Sequence, residues 1–428
     1  MAETIEIPDE EIRKQYRPRI IDSRISQLLR VTGGINITGC KWCGKSWTGR
    51  YHSKSSAFIG TETARKVAKM DPGLVLRGEE PRLIDEWQDV PNLWDVARMN
   101  MDFSARKGMY IFTGSSVLLR KSTSHTGTGR FAPLMMRPMT LFESGDSNGS
   151  VSLSDLFEGK ATVSSLSGMG YETAVRLICR GGWPAGLNMD YSDALLIPQL
   201  YSESLIKSDL SRLDDVKRDQ GTMRGILCSL ARNNATTAKI PVLAADVAEE
   251  GRPVSKQTVS DYLDALRRVF VIEEQPAWVP SIRSSKRMRT SPKRHFTDPS
   301  LAVACMGASP AMIMNDPNTA GFLFESLCYR DLSVYSSAFG GRVKHYRDDS
   351  DLEVDSIVEH ADGRWGAVEV KMGYGEADKA ASDLLRLKDK LAGETTEPSF
   401  LMVLCATGGA AYMRKDGVAV VPADCLGP

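Results

Sequence analysis

Histidine is scarce in this chain, with 5 residues in 428, and net charge is absent, because Lys+Arg and Asp+Glu both number 54. Few histidines leave few ligands for zinc, and zero net charge confines any nucleic-acid surface to a local patch. No run approaches the length of a membrane-spanning helix; the best candidate, FLMVLCATGGAAYM, is short and broken by glycines. The first residues, MAETIEIPDEEIRKQ, are acidic and lack the basic-then-apolar order of a secretory signal. The 8 cysteines are scattered and do not read as a disulfide framework. These absences lead to the expectation of a cytoplasmic protein with no membrane contact. What remains is ordinary globular composition, 42% hydrophobic and 25% charged, in a chain long enough for two to four domains.

The most informative short stretch is INITGCKWCGKSW, in which Gly39, Gly44, Lys45 and Ser46 fit the phosphate-cradling pattern G-x-x-x-x-G-K-[ST]. GINITG alternates as a strand should, and a helix opening at Gly44-Lys45-Ser46 would turn its free N–H groups and dipole toward an anion. Lys45 would reach the terminal phosphates of ATP, the Ser46 hydroxyl would ligate Mg2+, and Gly39, Gly44 and Trp47 complete the candidate nucleotide-binding set. Cys40 and Cys43 read as occupants of variable loop positions; no second cysteine pair follows at metal spacing, and blocking of the loop by thiol oxidation is the weaker alternative.

A nucleotide site needs a second carboxylate at a neighbouring strand end. PRLIDEWQDVPNLWD offers it, with Asp85 for the Mg2+ shell and Glu86 to polarise water. GMYIFTGSS supplies a third strand ending in hydroxyls, of which Ser115, or Thr113, is the candidate sensor. Order and spacing predict a parallel sheet with its chemistry at the strand ends.

Together, TGCKWCGKS, LIDEWQDVPNLW, YIFTGSS and GTGRFAPLMMRPMTLFE, with RGGWPAGL, KRHFTDPSLAVA, FESLCYRDL and EVDSIVEHADGRWGAVEVK after them, resemble the AAA-type ATPases of bacteria and archaea that carry a C-terminal domain of unknown function. The resemblance spans roughly residues 20 to 400, and the bulky loop and short strand before Asp85 depart from it. It implies a role for Arg130 in sensing or stabilising the γ-phosphate, in trans if the protein is a homo-oligomer; the alternative is a surface arginine in a polar loop.

The expected architecture is an α/β P-loop NTPase core over 1–150, a helical lid over 151–220, a winged-helix-like domain over 221–305, and an α/β restriction-nuclease-like domain over 306–428. For the third of these, Ser255 caps a helix whose Val259, Leu263 and Leu266 form the apolar stripe. Lys256, Gln257 and Thr258 stand where a recognition helix meets DNA, unless the fold serves only for packing. The basic run from Arg283 to Arg294 hints at phosphate contact.

In the last part, DLEVDSIVEHADGRWGAVEVK alternates apolar and charged residues across a turn at Asp362-Gly363. That pairing would set Asp355 opposite Glu369 and Glu353 opposite Lys371, with Ile357 on the charged face. Carboxylates so placed repel unless a cation neutralises them, and oxygen ligands suit Mg2+ or Mn2+. The D-(x13)-E-x-K pattern resembles the PD-(D/E)xK nuclease superfamily, which implies Glu325 on the preceding helix as a third metal ligand and Lys371 as the catalytic cation. The sequence thus supports two readings: an ATPase acting on DNA with a metal-dependent nuclease domain, or a nucleotide-switched regulator whose inactive nuclease-like domain binds a protein partner.

Overall fold

In the computed structural model, the residues described are 9–117, 129–209, 216, 218–249, 251–280, 291–350 and 352–428. They divide into two compact units, the first running to Pro138 and taking in Arg268–Phe270, the second running from Met139 to Pro428 without them. Among the described residues no helix is long and apolar enough to cross a membrane.

The first unit is built on five short strands, β1 (Gly34–Thr38), β2 (Ser55–Phe58), β3 (Arg82–Asp85), β4 (Tyr110–Gly114) and β5 (Phe131–Met135), all parallel in the order β2-β3-β4-β1-β5. β4 is buried along its whole length, as expected of a central strand covered on both faces. Phe112 lies in an aromatic core with Trp87, Trp94 and Phe131, where Trp94 stacks on Phe131 at 4.0 Å. This core fixes the sheet whose strand ends carry the phosphate loop.

The second unit begins with a short helix, Leu141–Ser144, and two short strands, β6 (Val151–Ser152) and β7 (Ser164–Leu166), separated by the helix Leu153–Phe157, before a helical region that includes Tyr171–Arg180, Leu196–Ser204, Gln220–Arg232, Ile240–Glu249 and Lys256–Arg268. An antiparallel pair follows, β8 (Ile272–Gln275) with β9 (Lys293–Phe296), in which Gln275 pairs with Lys293. A 21-residue helix, Pro317–Ser337, leads into β10 (Arg342–Arg347), β11 (Glu353–Glu359), β12 (Trp365–Lys371), β13 (Leu401–Cys405), β14 (Ala410–Met413), β15 (Val418–Pro422) and β16 (Leu426–Gly427). A seven-stranded sheet runs β10-β11-β12-β13-β15-β14-β7, and β16 pairs with β6. The region 151–220, expected to be a helical lid, also gives this sheet its edge strand β7, which takes up the outer hydrogen bonds of β14.

The Pro317–Ser337 helix is buried over most of its length and carries a charge through the core. Arg330 is 3% exposed and donates to Asp298 at 2.7 Å and to Asp331 at 2.8 Å, while Asp331 also accepts the Leu141 amide at 3.0 Å. Removing the guanidinium would strand two buried carboxylates. Arg330→Met should therefore cost about 3–5 kcal/mol, read as a lower urea midpoint for this unit, whereas a change within a few tenths would show that the triad is dispensable.

Candidate functional site

The phosphate loop joins β1 to the helix Lys45–His52, and its backbone explains its glycines. Gly39 would bring a Cβ to 2.0 Å from the Met136 carbonyl, and Gly44 has φ 103, so neither tolerates a side chain. No side chain caps the helix at Gly44, which leaves its leading N–H groups for an anion. The bulky residues sort by direction: Cys40 and Cys43 are fully buried, while Trp42, in the left-handed region at φ 63, and Trp47 are substantially exposed. Neither cysteine is in a disulfide. Burial would raise the Cys43 thiol, but the neighbouring Cys40 thiol, Lys45 and Arg19 outweigh it and bring it down to about 6. Lys45, 5% exposed, donates to the Cys40 carbonyl at 2.8 Å. Arg19 escaped the sequence reading, since nothing in RPRI marks it; its guanidinium donates to the Cys43 carbonyl at 2.9 Å and the Arg137 carbonyl at 2.7 Å, bracing the loop from behind.

Across the strand ends, Ser46 Oγ donates to both oxygens of Asp85 at 2.9 and 3.1 Å, and Thr113 Oγ1 donates to the same carboxylate. Burial raises the Asp85 carboxyl above the usual range. One serine, one aspartate and nucleotide phosphates are a donor set that suits Mg2+, which commonly takes one or two protein oxygens alongside phosphate and water. Next to it, Glu86 has left-handed backbone at φ 57 and accepts from Ser115 Oγ at 2.9 Å and from the Gln88 amide. The structure thus brings Lys45, Ser46, Asp85, Glu86, Thr113 and Ser115 to one end of the sheet.

Arg130 lies at the other end. It immediately precedes β5, whose Phe131 pairs with Gly34 at the start of β1, whereas the phosphate loop follows the end of β1. The intervening strand spans about 13 Å at the usual rise per residue. The Arg130 guanidinium pairs instead with Asp102, which also accepts from Arg98 at 2.7 Å. In this arrangement Arg130 does not reach the phosphates of its own loop.

The second unit holds a cluster of carboxylates around two lysines. The β11–β12 register runs from Glu359 opposite Trp365 to Ser356 opposite Val368, and one step beyond it the side chains of Asp355 and Glu369 hydrogen-bond to each other. Asp355 also accepts the Val370 amide at 3.0 Å. Ile357 is as buried as Val354 and Val358, contrary to the expected one-sided alternation, because both faces of β11 are covered. Glu325, from the Pro317–Ser337 helix, joins Asp355, Glu369 and Lys371; Lys371 Nζ donates to Glu369 at 2.6 Å and lies 3.6 Å from Asp355. A second residue whose role has no signal in the sequence is Lys293. It was counted in the basic run from Arg283 to Arg294, of which residues 283–290 lie outside the described residues. Lys293 is 3% exposed on β9, and its Nζ lies 2.7 Å from Glu325, 2.9 Å from Glu353 and 3.2 Å from Asp355. It is a core counterion, not a phosphate contact.

Burial pushes the Glu325 carboxyl up to about 8, with Asp355 adding to it and Lys293 opposing. Burial would also raise Asp355, but Lys293 and then Lys371 bring it down to about 2. Glu369 is held well above the usual range by burial and by Asp355. A divalent cation would need the oxygens of Glu325 and Asp355 that already converge on Lys293 Nζ, at a closer approach of about 2.0–2.6 Å. Among the described residues no group of three or more His, Cys, Asp or Glu is disposed to hold a metal ion. The cluster with its ammonium in place does not fit Mg2+ or Mn2+.

Further along the second unit, Ser255 Oγ accepts the Thr258 amide at 3.0 Å at the start of the Lys256–Arg268 helix. Lys256 and Gln257 are exposed there, while Val259, Leu263 and Leu266 are buried.

A comparison with curated proteins finds no match. Residues 33–144 match the family described as an AAA domain, and residues 171–311 and 320–426 match two domains of unknown function, DUF8612 and DUF4143. Among solved structures, a Walker-type ATPase of Pyrococcus abyssi is 14% identical, covers 68% of this chain and 97% of its own, and superposes with a TM-score of 0.41. The replication initiator DnaA bound to AMPPCP and single-stranded DNA is 11% identical, with coverage of 58% and 86% and a TM-score of 0.28. RuvB of Thermotoga maritima is 16% identical, with coverage of 60% and 89% and a TM-score of 0.27. Nothing about substrate or partner follows from likenesses at that level. With its phosphate loop, its parallel sheet and its match, the segment 33–144 is an AAA-type P-loop domain that binds ATP.

Proposed function

We propose that this chain is an ATP-hydrolysing AAA-type protein that works as a homo-oligomer and uses its C-terminal domain to hold a partner. The observation that carries the first part is the hydroxyl–carboxylate set at the strand ends, Ser46 and Thr113 on Asp85, with Glu86 beside it under the control of Ser115. Bound Mg2+, held by Ser46 and Asp85, would neutralise charge on the phosphates. Lys45 exchanges the Cys40 carbonyl for a phosphate oxygen, and Glu86, once released from Ser115 and Gln88, orients water for attack. Lys45→Ala should weaken ATP binding by an order of magnitude or more by calorimetry. Glu86→Gln should bind ATP like the wild type yet lose nearly all phosphate release; unchanged turnover in Glu86→Gln would remove Glu86 from the chemistry.

Arg130 supports the oligomer, because it sits a strand's length from its own phosphate loop. Met99 and Phe103, both exposed, lie on the same helix as its partner Asp102. Arg130 then serves the site of a neighbouring copy. Arg130→Ala and Glu86→Gln should each be inactive alone and recover part of the ATPase rate when mixed, since each supplies what the other lacks. Activity in Arg130→Ala alone, or none in the mixture, would refute this.

A second reading is DNA contact, favoured by the capped helix Lys256–Arg268 with its exposed first turn. Three helices followed by the β8–β9 pair have the order of a winged helix, although β9 is occupied in the carboxylate cluster. Salt-sensitive DNA binding that falls several-fold in Lys256→Ala/Gln257→Ala would support it. Binding unchanged by these substitutions would leave the helix as a packing element.

A further inference from the structure

The cluster in the second unit raises a question of chemistry that the ATPase reading does not answer. Four carboxylates, Glu325, Glu353, Asp355 and Glu369, are met among the described residues by two ammonium groups, Lys293 and Lys371, and, at the outer edge, by the Arg347 guanidinium 3.7 Å from Glu353. Three of the four converge on Lys293 Nζ, which is almost wholly shielded from water. Such an ammonium is not a surface lysine that swings away at little cost: it donates to Glu325 and Asp355 and is ion-paired with Glu353, in a medium where such contacts are strong. Its place is the place a divalent cation would take between the helix carboxylate Glu325 and the strand carboxylate Asp355.

We propose that Lys293 is the resident cation of this cluster, so that the C-terminal domain is metal-free as folded and accepts a divalent ion only when this ammonium is removed. Lysine and carboxylates come from different parts of the chain. Lys293 lies in the segment 171–311, and Glu325, Glu353, Asp355 and Glu369 lie in the segment 320–426. The ammonium thereby ties β9 to β11 and to the Pro317–Ser337 helix, and the cluster serves as a clasp between those two segments. Lys371 remains on the more open side, paired with Glu369, and does not fill the same position. The inference rests on the cluster alone and stands or falls separately from the ATPase assignment.

The test uses the full chain without nucleotide and Mn2+ as the probe, counted by electron paramagnetic resonance. Wild type and Asp355→Asn should bind the same number of Mn2+ ions, because the cluster takes none; one additional ion in the wild type would overturn the proposal. Lys293→Met should gain one Mn2+ ion, and that gain should vanish in Lys293→Met/Asp355→Asn. The same variant should melt about 5 °C or more higher in millimolar Mn2+ than in EDTA, a shift absent from the wild type. A folded Lys293→Met that gains neither ion nor stability would overturn the proposal as well. Should that variant fail to fold, the count of wild type against Asp355→Asn decides alone.

Discussion

A carboxylate removed from water must be met by a cation or by hydrogen-bond donors, and leaving it unmet costs several kcal/mol. That constraint organises both units of this chain. In the first, Asp85 is buried at a strand end and is answered by two hydroxyls, Ser46 and Thr113, with Lys45 nearby. Hydroxyls leave the carboxylate able to share a cation, because they donate without neutralising it. In the second, the answer is ionic: Arg330 between Asp298 and Asp331, and Lys293 among Glu325, Glu353 and Asp355. One arrangement is open to a ligand's charge and the other has already supplied its own.

This difference follows from where the donors sit. Ser46 and Thr113 are short side chains on the first turn of a helix and near the end of a strand, and both donate to the Asp85 carboxylate from their own elements. Lys293 reaches in from β9, whose partner β8 is fastened to Asp355 itself, since Gln275 donates to the Asp355 carbonyl at 2.8 Å and pairs with Lys293 in the hairpin. The buried His295 accepts or donates toward both Gln275 and Ser326, closing the same seam. The ammonium is therefore positioned by a hydrogen-bonded network rather than by its own flexible stem.

How much of this was legible in the sequence depends on how local each feature is. The phosphate loop is contiguous, so its glycines, Lys45 and Ser46 declare themselves, and the opposition of Asp355 and Glu369 follows from alternation across one turn. Lys293 was not legible because its partners lie 32 and 62 residues later, and only the folded hairpin brings them together. In sequence it is one more basic residue in a run of six. Arg130 could be ranked as a candidate, but its distance from the loop depends on the parallel pairing of β5 with β1, which no motif states. The burial of Cys40 and Cys43 with Trp42 turned outward likewise depends on left-handed backbone at Trp42, for which a tryptophan gives no signal.

The clasp also bears on what counts as a domain in the second unit. The sheet that carries Asp355 and Glu369 is completed by β7, from residues 164–166, and Asp424 accepts Ser167 Oγ at 2.7 Å and the Gly168 amide at 3.1 Å. Its cation comes from β9, and its buried helix shares Arg330 with Asp298. Each of these ties crosses from the segment 320–426 to residues well before it. A C-terminal domain cut at its sequence boundary would lose an edge strand, a counterion and one member of a buried ion triad at once. The segment 320–426 is thus not self-sufficient in charge, and whatever it holds, it holds as part of the larger unit that supplies its cations.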